Sequence, residues 1–211
     1  MKFKSLITIA ILSVILYFFG LYTDNHLLRM VTKPLPLIAM MVLLRPVTFY
    51  SKFVFIALLF SVIGDLLLEF NTSMFVFGLI AFLLAHIAYT TAFLKRSRKL
   101  MAIPFVLLMG YGAVVYWLLY PGLGKMALPV LIYIVVILIM SWRSMAQNDY
   151  DKKAVFAVAG SLLFVVSDSL IAFNKFYVEI QYAHYLIMIS YWAAQGLLFY
   201  SAFADDKKDF V

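Results

Sequence analysis

The chain has 211 residues, 66% of them hydrophobic and 13% charged, with a net charge of +7. A soluble domain keeps about a quarter of its residues charged, so this chain cannot cover its own surface in water and lipid must be its solvent. Without cysteine it has no disulfide, thiolate zinc site or cysteine nucleophile, and its modest positive charge suits anionic lipid, not nucleic acid.

Backbone groups in lipid must be satisfied within the chain, so spans are helices or closed barrels. The apolar runs here are near twenty residues, which is helix length. The predicted fold is all-α, a polytopic bundle of about eight transmembrane helices forming one domain over residues 1–211. The first helix is expected over 5–22. Met1-Lys2-Phe3-Lys4 ahead of it resembles a signal peptide, but the run continues to Tyr22 without a small-residue cleavage pattern and reads as a retained span. The second, over 32–49, is the weakest, because Lys33 and Arg45-Pro46 flank it. The others fall at 53–70, 74–94, 100–120, 126–142, 154–173 and 183–204. Tyr22, Tyr116, Trp117, Trp142 and Tyr182 lie near these boundaries, as an aromatic belt requires.

Cations set the expected orientation. With eight spans and both termini cytoplasmic, thirteen of the 17 Lys and Arg residues lie inside, among them Lys2, Lys152, Lys207 and Lys208. Seven spans, without the second and with the N-terminus outside, give the same bias, so the third helix onward keeps one orientation either way. An internal echo favours eight. The third helix ends Asp65-Leu66-Leu67-Leu68-Glu69-Phe70 and the seventh ends Asp168-Ser169-Leu170-Ile171-Ala172-Phe173. Both read Asp-x-Leu-aliphatic-x-Phe, which suggests two parallel four-helix halves.

Asp65 and Asp168 are the candidate chemical groups. Each is expected five residues before its helix end, roughly 7 Å below the boundary at about 1.5 Å per residue. A carboxylate there costs about 2.5–3.5 kcal/mol on insertion scales unless protonated, paired or hydrated. Ser61, Asp65 and Glu69 share one helical face, and Ser161, Phe164 and Asp168 share another, with Gly160 alongside. Glu69 is expected to be solvated at the interface. His86 and Tyr89 share a face of the fourth helix. Tyr191 and Gln195 are deep in the eighth and must find hydrogen-bond partners. His184 reads as a boundary residue. Lys33-Pro34 is either a phosphate contact or an ordinary charged boundary before a helix-starting proline. Gly64, Gly78 and Gly160 suit close helix packing. The three histidines have no ligand-like spacing, so no metal or cofactor is expected.

These motifs together resemble the lysoplasmalogenase (YhhN-like) membrane family. The resemblance rests on Lys33-Pro34-Leu35, Ser61-Val62-Ile63-Gly64-Asp65 and Ala85-His86-Ile87-Ala88-Tyr89. It extends through Gly160-Ser161-Leu162-Leu163-Phe164-Val165-Val166-Ser167-Asp168 and Tyr191-Trp192-Ala193-Ala194-Gln195. It covers most of the chain, and its order and spacing are more specific than any one motif. It implies hydrolysis of the vinyl ether bond of a lysophospholipid, giving a fatty aldehyde and a glycerophospho-head group.

That chemistry needs an acid for the β-carbon, an anion near the oxocarbenium ion, and a water. Two carboxyls in different protonation states supply this, as paired acids do around a glycosyl cation. Asp65 and Asp168 are expected to be catalytic, without a distinction between them. Lys33, Ser61, His86, Tyr89, Ser161, Tyr191 and Gln195 are expected to position substrate or water. The expected partners are the lysophospholipid and surrounding membrane lipids, with oligomeric state open. A compact chain without an added targeting segment points to a prokaryotic inner membrane. Two other readings fit the same aspartates: a small proton- or cation-coupled transporter, and a lipid-binding protein in which they only tie helices together.

Overall fold

The computed structural model describes residues 3–147 and 153–206. Met1 of the signal-peptide-like start, and Lys2, Lys152, Lys207 and Lys208 of the charge bias, lie outside them. The described residues form nine α-helices: α1 (Phe3–Tyr22), α2 (His26–Thr32), α3 (Leu35–Leu43), α4 (Phe49–Phe70), α5 (Phe75–Arg96), α6 (Ala102–Leu123), α7 (Ala127–Met145), α8 (Ala154–Phe176) and α9 (Ala183–Asp206). There is no strand among them. Seven helical stretches are long and apolar enough to cross a membrane, so this is a multi-pass membrane protein. Two compact units emerge, Met1–Ala88 with Ala202–Val211, and Tyr89–Ser201.

In the first unit, α1 packs on α2 and α3, and α4 packs on α2 and α3. The region expected as one helix over 32–49 is instead two short helices followed by an extended segment. Pro34 stands at the junction of α2 and α3, where its missing N–H has no helical partner to lose. Helix α3 stops at Leu43 because Pro46 cannot donate and disfavours helical geometry at Arg45. Thr48 then opens α4 four residues earlier than expected. Its Oγ1 accepts from the Ser51 N–H at 3.0 Å, while Ser51 Oγ accepts from the Thr48 N–H at 3.1 Å, a reciprocal capping box.

In the second unit, α7 packs on both α6 and α8, and α6 also touches α8. Residues 102–145 form a 44-residue helical stretch, which a 3-10 turn over Gly124–Met126 divides into α6 and α7. Gly124 takes a φ of 49°, which favours glycine. Gly122 permits a close approach: a Cβ there would stand 1.9 Å from the carbonyl oxygen of Phe176 at the end of α8. At the other end of α7, Arg143 is buried and its guanidinium donates to the carbonyls of Ser97 and Lys99. Trp142 Nε1 donates to Met101 O at 2.8 Å. These bonds tie the end of α7 to the backbone carbonyls of the loop between α5 and α6.

Candidate active site

Helix α4 places Ser61 and Asp65 one turn apart, and both are buried, Asp65 to 2% exposure. Gly64 lets Phe82 of α5 close over this stretch: a Cβ at 64 would meet the ring at 2.6 Å. An apolar ring, rather than water, therefore packs beside the residue preceding Asp65. His86 is wholly buried in the same unit.

One turn beyond Asp65, Glu69 is not solvated as expected. Its Oε1 accepts from Arg29 Nε at 2.8 Å and its Oε2 from Lys33 Nζ at 3.2 Å. The three side chains are only 12%, 16% and 10% accessible. Arg29 also reaches Asp24 at 2.9 Å, and His26 Nε2 donates to the Glu69 carbonyl at 2.6 Å. Lys33, a candidate phosphate contact, is thus held by a carboxylate. The earlier start of the second region, at His26 instead of residue 32, puts Arg29 on a helix one turn from Lys33. A spacing of 29 to 33 was the available signal for a paired cation site.

In the second unit, α8 runs on through Asn174-Lys175-Phe176, so Asp168 lies eight residues before its end, while Asp65 lies five before the end of α4. The two helices do not end at equal distances from their aspartates. Asp168 is half-buried, and Tyr133 of α7 donates its hydroxyl to Asp168 Oδ2 at 2.5 Å. Next to it, Ser169 Oγ donates to Val165 O at 2.7 Å and stands 2.7 Å from the Tyr111 hydroxyl of α6. Tyr133 was not anticipated. It is the one polar-tipped side chain between Pro129 and Ser141, and such isolation in an aliphatic run was its signal.

The remaining candidates in this unit fall into three groups. Tyr89 donates to Gln195 Oε1 at 2.6 Å, and both are wholly buried. Tyr191 packs edge-on against Phe164, with ring centroids 5.5 Å apart. Ser161 Oγ lies 2.9 Å from Val158 O and 2.7 Å from Ser144 Oγ, which itself lies 2.7 Å from Ser141 O, so one of the two hydroxyls donates to the other and the other to its own helix. That hydroxyl is engaged in joining α7 to α8, about 10 Å along the helix from Asp168. A groove of about 440 Å³ lies on the α6 and α8 surfaces, lined by Pro104, Leu107, Leu108, Tyr111, Leu162, Val165 and Val166, with Met145 of α7. Its apolar lining suits a hydrocarbon chain. No group of three His, Asp or Glu side chains is arranged to hold a metal among the described residues.

The YhhN family pattern matches residues 28–202, most of the chain. The chain belongs to the YhhN family. This YhhN protein is 38% identical to lysoplasmalogenase TMEM86A of Bos taurus over 71% of its own length and 64% of the relative's. It is 36% identical to lysoplasmalogenase TMEM86A of Homo sapiens over the same shares. It is 32% identical to a lysoplasmalogenase of Mycobacterium bovis over 67% of its own length and 57% of that protein's. The chain spans less than two thirds of the length of these relatives. No solved structure matches it.

Proposed function

We propose that this protein is a lysoplasmalogenase, an ether hydrolase that cleaves the vinyl ether bond of a lysophospholipid in the membrane. The observation that carries this reading is the similarity to proteins of that name over 71% of the chain. It gains support from a carboxyl in each unit set within a membrane helix, Asp65 buried and Asp168 on a tyrosine hydroxyl.

Asp65 and Asp168 are the proposed catalytic residues. A carboxylic acid protonates the β-carbon; the alkene electrons form the new C–H bond and leave an oxocarbenium ion. The second carboxyl, ionised, offsets that charge and takes a proton from water as the water oxygen bonds to the cation. The resulting hemiacetal breaks its C–O bond as that proton passes to the glycerol oxygen. The hydroxyl proton returns to the first carboxylate, releasing the aldehyde and restoring both groups. Lys33 is the proposed phosphate contact, as a point charge. Ser61, His86, Tyr89, Ser161, Tyr191 and Gln195 are proposed to position water and substrate, directly or through the helices they fix.

The 44-residue stretch 102–145 would be about 66 Å long if straight, twice a hydrocarbon core. We read it as two spans, α6 and α7, which makes eight in one transmembrane domain, with both termini cytoplasmic and a 4+4 repeat carrying one aspartate in each half. The proposed setting is a prokaryotic cell membrane; relatives named lysoplasmalogenase occur in mycobacteria.

The test is aldehyde release from lysoplasmenyl-ethanolamine by the purified protein in detergent, with the saturated ether as control. Turnover of the vinyl ether alone supports the reading. Folded protein that releases no aldehyde across several head groups and pH values refutes it, and leaves proton-coupled transport by the same aspartates to be tested in vesicles.

A further inference from the structure

Asp65 and Asp168 are interchangeable in the sequence, but the surroundings of Asp168 are particular. Two hydroxyl groups from different helices converge on residues 168 and 169. Tyr133 of α7 donates to the Asp168 carboxyl. On the neighbouring residue, Ser169 Oγ lies 2.7 Å from both Val165 O and the Tyr111 hydroxyl of α6. The Tyr133 bond holds the Asp168 carboxyl as an acceptor. Tyr133 is 9% exposed and lies in the aliphatic run Val130–Met140, where an unmatched phenol would be costly.

A helix tie alone does not account for this pair. The α7–α8 contact already has a neutral tie, the Ser141, Ser144 and Ser161 group about 10 Å further along α8. Packing alone would be met by phenylalanine. The hydroxyl fixes one carboxyl oxygen at 2.5 Å while the residue stays half-buried.

We infer that Tyr133 is a positioning residue that holds Asp168 as the anion of the reaction. The inference rests on the vinyl ether reading above. Asp168 faces the oxocarbenium carbon and takes one proton from the attacking water as the new C–O bond forms. Tyr133 keeps its own proton throughout and fixes the direction of the carboxylate. The proton on Asp168 then leaves with the glycerol oxygen as the old C–O bond breaks.

The test compares wild type, Tyr133→Phe, Asp168→Asn and the double variant for aldehyde release from lysoplasmenyl-ethanolamine, with apparent melting temperatures alongside. Tyr133→Phe should lower kcat about tenfold to hundredfold, the worth of one hydrogen bond to a charged group. KM should stay within about twofold, as for an interaction made mainly in the transition state. In the Asp168→Asn background Tyr133→Phe should cost nothing more. Full kcat in Tyr133→Phe, a change in KM alone, or independent losses in the double variant overturns the assignment while leaving the enzyme reading intact. Wild-type protein that releases no aldehyde overturns the enzyme reading and this assignment with it. Should Tyr133→Phe melt early, fluorinated tyrosines placed at 133 keep the ring and the bond. A kcat that follows phenol acidity then supports the inference, and an unchanged kcat refutes it.

Discussion

Replacing Glu69 by glutamine removes one negative charge from between two cations and changes almost nothing in volume. Arg29 Nε and Lys33 Nζ lie 2.8 and 3.2 Å from its carboxylate oxygens, and all three side chains are at most 16% accessible. An exposed ion pair is worth about 0–1 kcal/mol, and breaking a fully buried one costs about 3–5 kcal/mol. This triad lies between, nearer the buried limit, and about 2–3 kcal/mol is expected. For a chain of this size each kcal/mol moves the melting temperature by about 2–4 °C, so Glu69→Gln should lower the apparent melting temperature in detergent by about 4–12 °C. Asp24→Asn is the internal control. Asp24 also contacts Arg29 at 2.9 Å, but its side chain is 94% accessible, so water and salt already screen it and no measurable shift is expected. Intrinsic fluorescence during a thermal ramp reads both variants. Equal behaviour of Glu69→Gln and Asp24→Asn would refute the claim that burial, rather than distance, sets the strength of these pairs.

Asp65→Asn and Asp168→Asn should each lower aldehyde release at least about a hundredfold, with monodisperse, folded protein by size exclusion; near-normal turnover in both would sink the paired-carboxyl scheme, and loss of folding would favour a structural role. Lys33→Gln should raise KM for the lysophospholipid several-fold with little change in kcat, as expected for binding that is equal in ground and transition states; an unchanged KM would remove Lys33 from the phosphate site. Gly122→Ala should destabilise by about 1–3 kcal/mol, because its Cβ would meet a backbone carbonyl that cannot rotate away. Gly110→Ala, with nothing within 4 Å on the same helix, should be neutral or stabilise by up to about 1 kcal/mol. Equal melting temperatures for the two glycine variants would count against the close approach of α6 and α8.

Long uninterrupted patterns were legible from the sequence: the ends expected for helices at 5–22, 74–94 and 183–204 fall within about two residues of α1, α5 and α9. The failure at 32–49 has a local cause. Hydrophobicity continued through residues where proline chemistry and the Thr48–Ser51 cap decide the backbone. For the site, helical spacing found the faces of Ser61–Asp65 and Ser161–Asp168, because neighbours within a helix are set by its period. Partners on other helices carry no such period. Tyr133 stands 35 residues from Asp168, and Arg29 stands 40 from Glu69. Ser161 shows the same limit from the other side: its face was legible, but not its engagement with Ser144.

The interrupted stretch His26–Leu43 has a consequence for the surrounding lipid. Its 18 residues amount to about 27 Å of helix, whereas the 23 residues of α8 amount to about 35 Å. No bilayer of uniform thickness matches both if both stand upright. A bilayer thick enough for an upright α8 leaves the broken stretch short by about 8 Å, and the lipid beside it then thins, or headgroups sink to meet its ends, at fractions of a kcal/mol per Å. A locally thinned bilayer beside Lys33 lowers the phosphate plane toward the protein, so the membrane itself would share in bringing a monoacyl lipid to the depth of its chemistry.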